Sequence, residues 1–146
     1  MEESLLDYYL DAFSNMSRAV MRGKKAPHKP LLLLSTLNLI KKNNITCNHI
    51  YLSDELIKEF ETEWNLRIGN CTKKNIQLIE GLTLDLDNSY PFHCNIVNPF
   101  YFLSFEPFWK LEKADTFIKR NSYSTINVLR KCFKYAILDE TLFYLM

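Results

Sequence analysis

Asn98-Pro99-Phe100-Tyr101-Phe102-Leu103, then Ser104 to Pro107, then Phe108-Trp109-Lys110-Leu111 is the stretch on which the fold turns. Two apolar, aromatic runs separated by a short polar break read as a β-hairpin. Pro99 suits the start of an edge strand, where a missing backbone donor does no harm. Phe100, Phe102, Phe108 and Trp109 are then chiefly core side chains, with some left to face a partner.

Working outward, periodicity weakens from Leu66 to Val97. Gly69, Gly81, the acidic turn Asp85 to Asn88 and Pro91 predict a variable, loop-rich segment there. Before it, Ser53 is a good N-cap for a helix over Asp54 to Asn65, with Leu56, Ile57, Phe60 and Trp64 on its apolar side. Ile45-Thr46 through Ile50-Tyr51 reads as a short extended stretch. Leu31 to Lys42 forms a helix entered through Pro30, which loses no hydrogen bond in a first turn. Leu31, Leu34, Leu37 and Ile40 make its buried stripe, and Asn43-Asn44 ends it. Leu5, Leu6, Tyr9, Phe13, Met16 and Val20 predict an amphipathic helix over Ser4 to Val20. Gly23, Pro27 and Pro30 leave a basic loop over Arg22 to Lys29. Downstream, Ser124 caps a helix through Tyr135, and Asp139 a short last one ending at Met146. The order helix, helix, strand, helix, hairpin predicts an α+β fold: a winged-helix-like centre with a β-hairpin and flanking helices.

A chain of 146 residues, 47% apolar and 24% charged, fits one globular domain over residues 1–146 and sets disordered and fibrous classes aside. Nothing approaches the roughly 20 apolar residues that cross a bilayer. The acidic start Met1-Glu2-Glu3-Ser4 lacks the pattern of a secretory signal, so a cytoplasmic location is expected. Cys47, Cys71, Cys94 and Cys132 then read as thiols; none forms a C-x-x-C pair, and no metal site is expected. His93-Cys94 is the local candidate for one, but neighbours on an extended chain point in different directions.

The net charge is only +1, yet the charges are segregated. Between Ala12 and Ser53 lie Arg18, Arg22, Lys24, Lys25, Lys29, Lys41 and Lys42 and no Asp or Glu. Cations gathered this closely add their fields within a Debye length of roughly 8 to 10 Å. Such a segment serves either as a solvated face or as a phosphate-binding one.

Three blocks carry a resemblance: Ala26-Pro27-His28-Lys29-Pro30-Leu31-Leu32-Leu33-Leu34; Asn98-Pro99-Phe100-Tyr101-Phe102-Leu103 with Phe108-Trp109; and Lys134-Tyr135-Ala136-Ile137-Leu138-Asp139-Glu140-Thr141-Leu142-Phe143. In this order they resemble the N-terminal region of HNH restriction endonucleases, and most of all the sulfur-binding domain of ScoMcrA-like type IV enzymes. That domain reads phosphorothioate-modified duplex DNA, and a separate HNH domain cuts. The resemblance implies DNA-backbone contacts from Arg22, Lys24, Lys25, His28 and Lys29, beside Arg18 of the same basic segment. It also implies a small apolar sulfur pocket of the Tyr-Pro-Phe-x-Ala type, met here by Asn98, Pro99, Phe100 and Phe102. Phe102 stands where the pattern has Ala. Tyr90-Pro91-Phe92 is a second Tyr-Pro-Phe, which makes Tyr90 and Pro91 alternatives for the role.

His28 also has a plainer reading, as a ring hydrogen-bonded to backbone where a helix begins. No nuclease site is expected, because an HNH centre needs clustered histidines around a metal and the three here are separated. Asp85 and Asp87 read as a solvated turn. The expectation is a recognition domain that is not an enzyme and uses no cofactor, working with an HNH nuclease domain or partner, alone or as a homodimer. A reading from another class is a protein-interaction module that docks a partner nuclease through its aromatic segment.

Overall fold

The computed structural model describes residues 2–18, 20–21, 24–66, 75–79, 82–85, 94–115, 117–119 and 123–145. Helix α1 spans Glu2–Ser14 and buries Tyr9 and Phe13. It ends earlier than periodicity predicts. Met16 turns into the core, and the next amide, Ser17 N, donates to the Glu106 carboxylate instead of continuing the helical ladder. The expected basic loop is partly a ribbon: β1 (Val20–Met21) pairs antiparallel with β2 (Lys24–Lys25), Val20 opposite Lys25 and Met21 opposite Lys24.

Helix α2, His28–Lys41, lies at the centre. Every residue from Lys29 to Leu37, and Leu39, is buried, so the predicted stripe is in fact nearly the whole circumference. A helix enclosed this way must hide its polar groups. Ser35 and Thr36 do so by donating to the carbonyls of Leu31 and Leu32, at 2.8 and 2.9 Å. Its end follows from Asn43, whose φ of 62° is left-handed, a conformation asparagine tolerates. Asn43 N then reaches Ile40 O and Asn44 N reaches Leu39 O, satisfying carbonyls that the helix leaves open.

Strand β3 (His49–Ile50) leads to α3 (Asp54–Trp64), where Ser53 accepts from Leu56 N at 3.1 Å as its sequence position predicts. Leu56, Phe60 and Trp64 face inward, with Ile57 half-buried against them. Within the stretch expected to be loop, β4 (Asn75–Ile79) and β5 (Leu82–Asp85) form a second antiparallel hairpin, and β4 packs on α2. Asp85 ends a strand there.

The decisive stretch is the main correction. Val97–Phe102 is a helix, α4, followed by a 3-10 turn at Leu103–Phe105. Two local causes favour the helix over the expected strand. Asn95 Oδ1 accepts from Val97 N and Asn98 N at 2.9 and 3.3 Å, capping the first turn in which Pro99 costs nothing. Val97, Phe100 and Leu103 then fall three apart, and all three are buried. The carbonyl of Phe100 accepts from Trp109 Nε1 at 3.1 Å.

Strand β6 (Trp109–Lys113) therefore has a distant partner, β7 (Phe133–Leu138), with Trp109 opposite Leu138 and Leu111 opposite Ala136. β3 joins the other edge of β7, giving the antiparallel order β3-β7-β6. Between them α5 (Ile126–Cys132) is capped by Thr125, not Ser124, and stops before Tyr135 because Phe133 is already extended. Ala136 and Leu138 face the core while Tyr135 and Ile137 alternate outward, a strand period that begins where the helix expected through Tyr135 would end. α6 (Glu140–Leu145) closes the chain, and Tyr9 Oη donates to Asp139 beside it at 3.0 Å, tying the two terminal helices together. The buried apolar residues form one cluster that draws on α1, α2, α3, α4, the sheet and α6.

Candidate nucleic-acid interface

Glu106 organises the end of the molecule where the basic segment lies. It follows the 3-10 turn, and its carboxylate is almost entirely buried. An unpaired carboxylate there would be strongly destabilising, so the fold supplies donors. Lys29 Nζ reaches it at 2.7 Å and Ser17 N at 3.1 Å. Three segments meet at one side chain: the segment leaving α1, the start of α2 and the turn after α4.

This junction corrects one expected contact. Lys29 was expected among the cations facing phosphate, but its side chain is 10% exposed and committed to Glu106. It braces this end of the molecule from within. Arg18 Nε donates to Ala26 O at 2.7 Å, bridging the two chains where the β1–β2 ribbon begins and ends. Lys24 and Lys25 form the outgoing strand of that ribbon. Arg22 lies outside the described residues. The half-buried His28 ring packs 4.8 Å from the Trp64 ring, so its packing partner is the end of α3.

The expected sulfur pocket divides in two. Pro99 and Phe100 are buried because α4 turns that side toward α2, with the Phe100 ring edge-on to Trp109 at 5.5 Å. They are core residues and offer little surface. Asn98 and Phe102 face solvent. Tyr90 and Pro91, the alternatives, lie outside the described residues. Residue types alone gave no sign of the role of Phe105, which is 68% exposed and stands 5.8 Å from Phe102 and 6.0 Å from Tyr101. An open aromatic patch thus adjoins Glu106 in the chain, and Glu106 in turn holds Ser17 and Lys29, which flank the basic ribbon in sequence.

Glu106 itself was legible in principle. It is the only acid between Asn98 and Lys110, in an aromatic block destined for the core, and such an acid demands a buried cation. Among the described residues, no group of three or more His, Cys, Asp or Glu is placed to hold a metal ion, and no helix is long and apolar enough to cross a membrane. Cys47, Cys94 and Cys132 are free thiols, the first two exposed. No family model and no curated protein matches the chain.

Proposed function

We propose that this chain is a DNA-recognition domain of a restriction or defence system, reading phosphorothioate-modified duplex DNA in the cytoplasm. The carrying observation is the Glu106 junction, which ties the turn that bears the exposed Phe105 to Ser17, ahead of the Lys24-Lys25 ribbon, and to Lys29, behind it. In this reading the ribbon cations supply salt-sensitive affinity for the backbone. Phe102 and Phe105, in place of the buried Pro99 and Phe100, offer the apolar surface that a soft, weakly hydrated sulfur prefers over oxygen.

A winged-helix-like centre is supported by the chain order α2, β3, α3, α4, β6, β7 and by the strand order β3-β7-β6. The connection over 114–132 then takes the place of the wing, and the β-hairpin around Ser104 has no part in it. The three sequence blocks support the resemblance to sulfur-binding domains of HNH endonucleases. Recognition without catalysis follows from that resemblance, with cutting assigned to an HNH domain or partner.

The test is a titration against one short duplex, with and without a single phosphorothioate linkage, at two salt concentrations. Preference for the sulfur duplex supports the modification reader. Equal, salt-sensitive binding reduces the reading to general DNA recognition. Absence of binding to either duplex overturns it in favour of a second reading, docking of a partner nuclease, which the exposure of Phe102 and Phe105 favours.

A further inference from the structure

A cleft of about 440 Å³ opens at the other end of α3, where β3 meets that helix and α5 meets β7. This is within the size range of small-molecule sites, roughly 300 to 1,000 Å³. Trp64, against which His28 packs, ends α3, and Ser53 at the cleft begins it; eleven helical residues put about 16 Å between them. The cleft is therefore separate from the basic ribbon and uses none of its residues.

Its chemistry is mixed in a particular way. Tyr51 and Tyr135 stand 5.3 Å apart at the mouth. Tyr135 is held by His49, stacked on it at 4.1 Å and 15° across the β3–β7 pair, while Tyr51 is 55% exposed and keeps a ring face open. The buried Phe100 contributes to the lining from below. Two cations stand at the rim, Arg130 and Lys134. Arg130 is aimed by its own backbone contact: Nε donates to Leu52 O at 2.9 Å. Its Nη2 meets Asp54 at 3.1 Å, but that carboxylate is 96% exposed, so the ion pair is weak and open to displacement by a better anion. Phosphate is such an anion, because a guanidinium binds it through two parallel hydrogen bonds.

An apolar ligand would leave both cations unused, and a bare anion would leave the tyrosines unused. A planar ring joined to a phosphate uses all four. We infer that this cleft binds a single nucleotide, its base against Tyr51 and its phosphate between Arg130 and Lys134. The nucleotide is either free or the unpaired end of a DNA strand.

The inference stands apart from duplex recognition and is tested without a duplex. Deoxyadenosine monophosphate, deoxyadenosine and inorganic phosphate are titrated separately into the full chain by calorimetry. A fourth titration uses a 5′-phosphorylated single-stranded tetranucleotide. The monophosphate or the tetranucleotide should bind in one-to-one stoichiometry, at least tenfold tighter than the nucleoside or phosphate alone. The tighter of the two identifies the source. Tyr51→Ala, at an exposed position, should weaken binding about fivefold or more, as loss of one stacking platform does. Lys134→Gln should weaken it further for the phosphorylated ligands only. Saturable binding of neither the monophosphate nor the tetranucleotide overturns the inference. So does phosphate binding as tightly as the monophosphate, or indifference to Tyr51→Ala and Lys134→Gln with unchanged thermal unfolding.

Discussion

Lys29 and Glu106, 77 residues apart in sequence, form an ion pair of 2.7 Å with 10% and 7% of their side chains exposed. The pair joins the first turn of the central helix to the turn that follows α4. Buried charge is tolerated here because each partner neutralises the other, and breaking such a pair from one side costs about 3 to 5 kcal/mol. Glu106→Ala should therefore lower the unfolding free energy by about that amount in urea denaturation. Replacing both, Lys29→Met with Glu106→Leu, should recover most of it. A double-variant loss equal to the sum of the losses in Lys29→Met and Glu106→Leu alone would mean that the pairing itself contributes nothing.

The ribbon cations lie away from this pair in their effect. Lys24→Ala with Lys25→Ala should reduce the salt dependence of duplex binding by about two counterions. Thermal unfolding should change by no more than about 0.5 kcal/mol per residue, the usual range for substitutions outside the core. The check is a salt series of binding isotherms, and an unchanged slope removes the ribbon from the interface.

Phe105 and Phe100 provide an internal contrast, because the same residue type is 68% exposed at one position and 2% at the other. Phe100→Ala should cost about 3 to 5 kcal/mol of stability as a core truncation. Phe105→Ala should stay within about 0.5 kcal/mol, as surface substitutions do. It should nevertheless lower the preference for the phosphorothioate duplex over the oxygen one. Retention of the full preference would shift sulfur recognition away from this patch.

Tyr9 links stability to alkaline pH. Burial, and then its hydrogen bond to Asp139, push its phenol up from about 10 to about 12. Below pH 10 the phenol is protonated in folded and unfolded chains alike, and no pH dependence arises from it. Between about 10 and 12 the unfolded chain releases its proton while the folded chain holds it, so stability falls as pH rises. Tyr9→Phe should flatten the decline in denaturation midpoint over that interval, whatever it does at neutral pH. An unchanged decline would assign it to other groups.

Elements with strong local punctuation were legible in the chain. Ser53 starts α3 and Asn43 ends α2, each through a hydrogen bond or a backbone angle that its own residue type favours. The segregation of the basic residues was equally visible. Lys134 to Leu138 and Phe100 to Leu103 were not, because aromatic and branched residues fit both a buried helix face and a strand. In the first case β6 supplies the hydrogen-bonding partner. In the second, Asn95 and Trp109 satisfy the helix ends.

By itself the sequence determined the Ser53 cap, the Asn43 stop, the apolar side of α3 and the crowding of cations before α2, since these depend on neighbours a few residues away. Tertiary structure alone decided that Lys29, among those cations, turns inward. Lys29 sits among six other Lys and Arg between Ala12 and Ser53, and nothing local distinguishes it from Lys24 or Lys25. What distinguishes it is a carboxylate 77 positions later that folding carries into the interior, where an unpaired charge would be too unfavourable to persist.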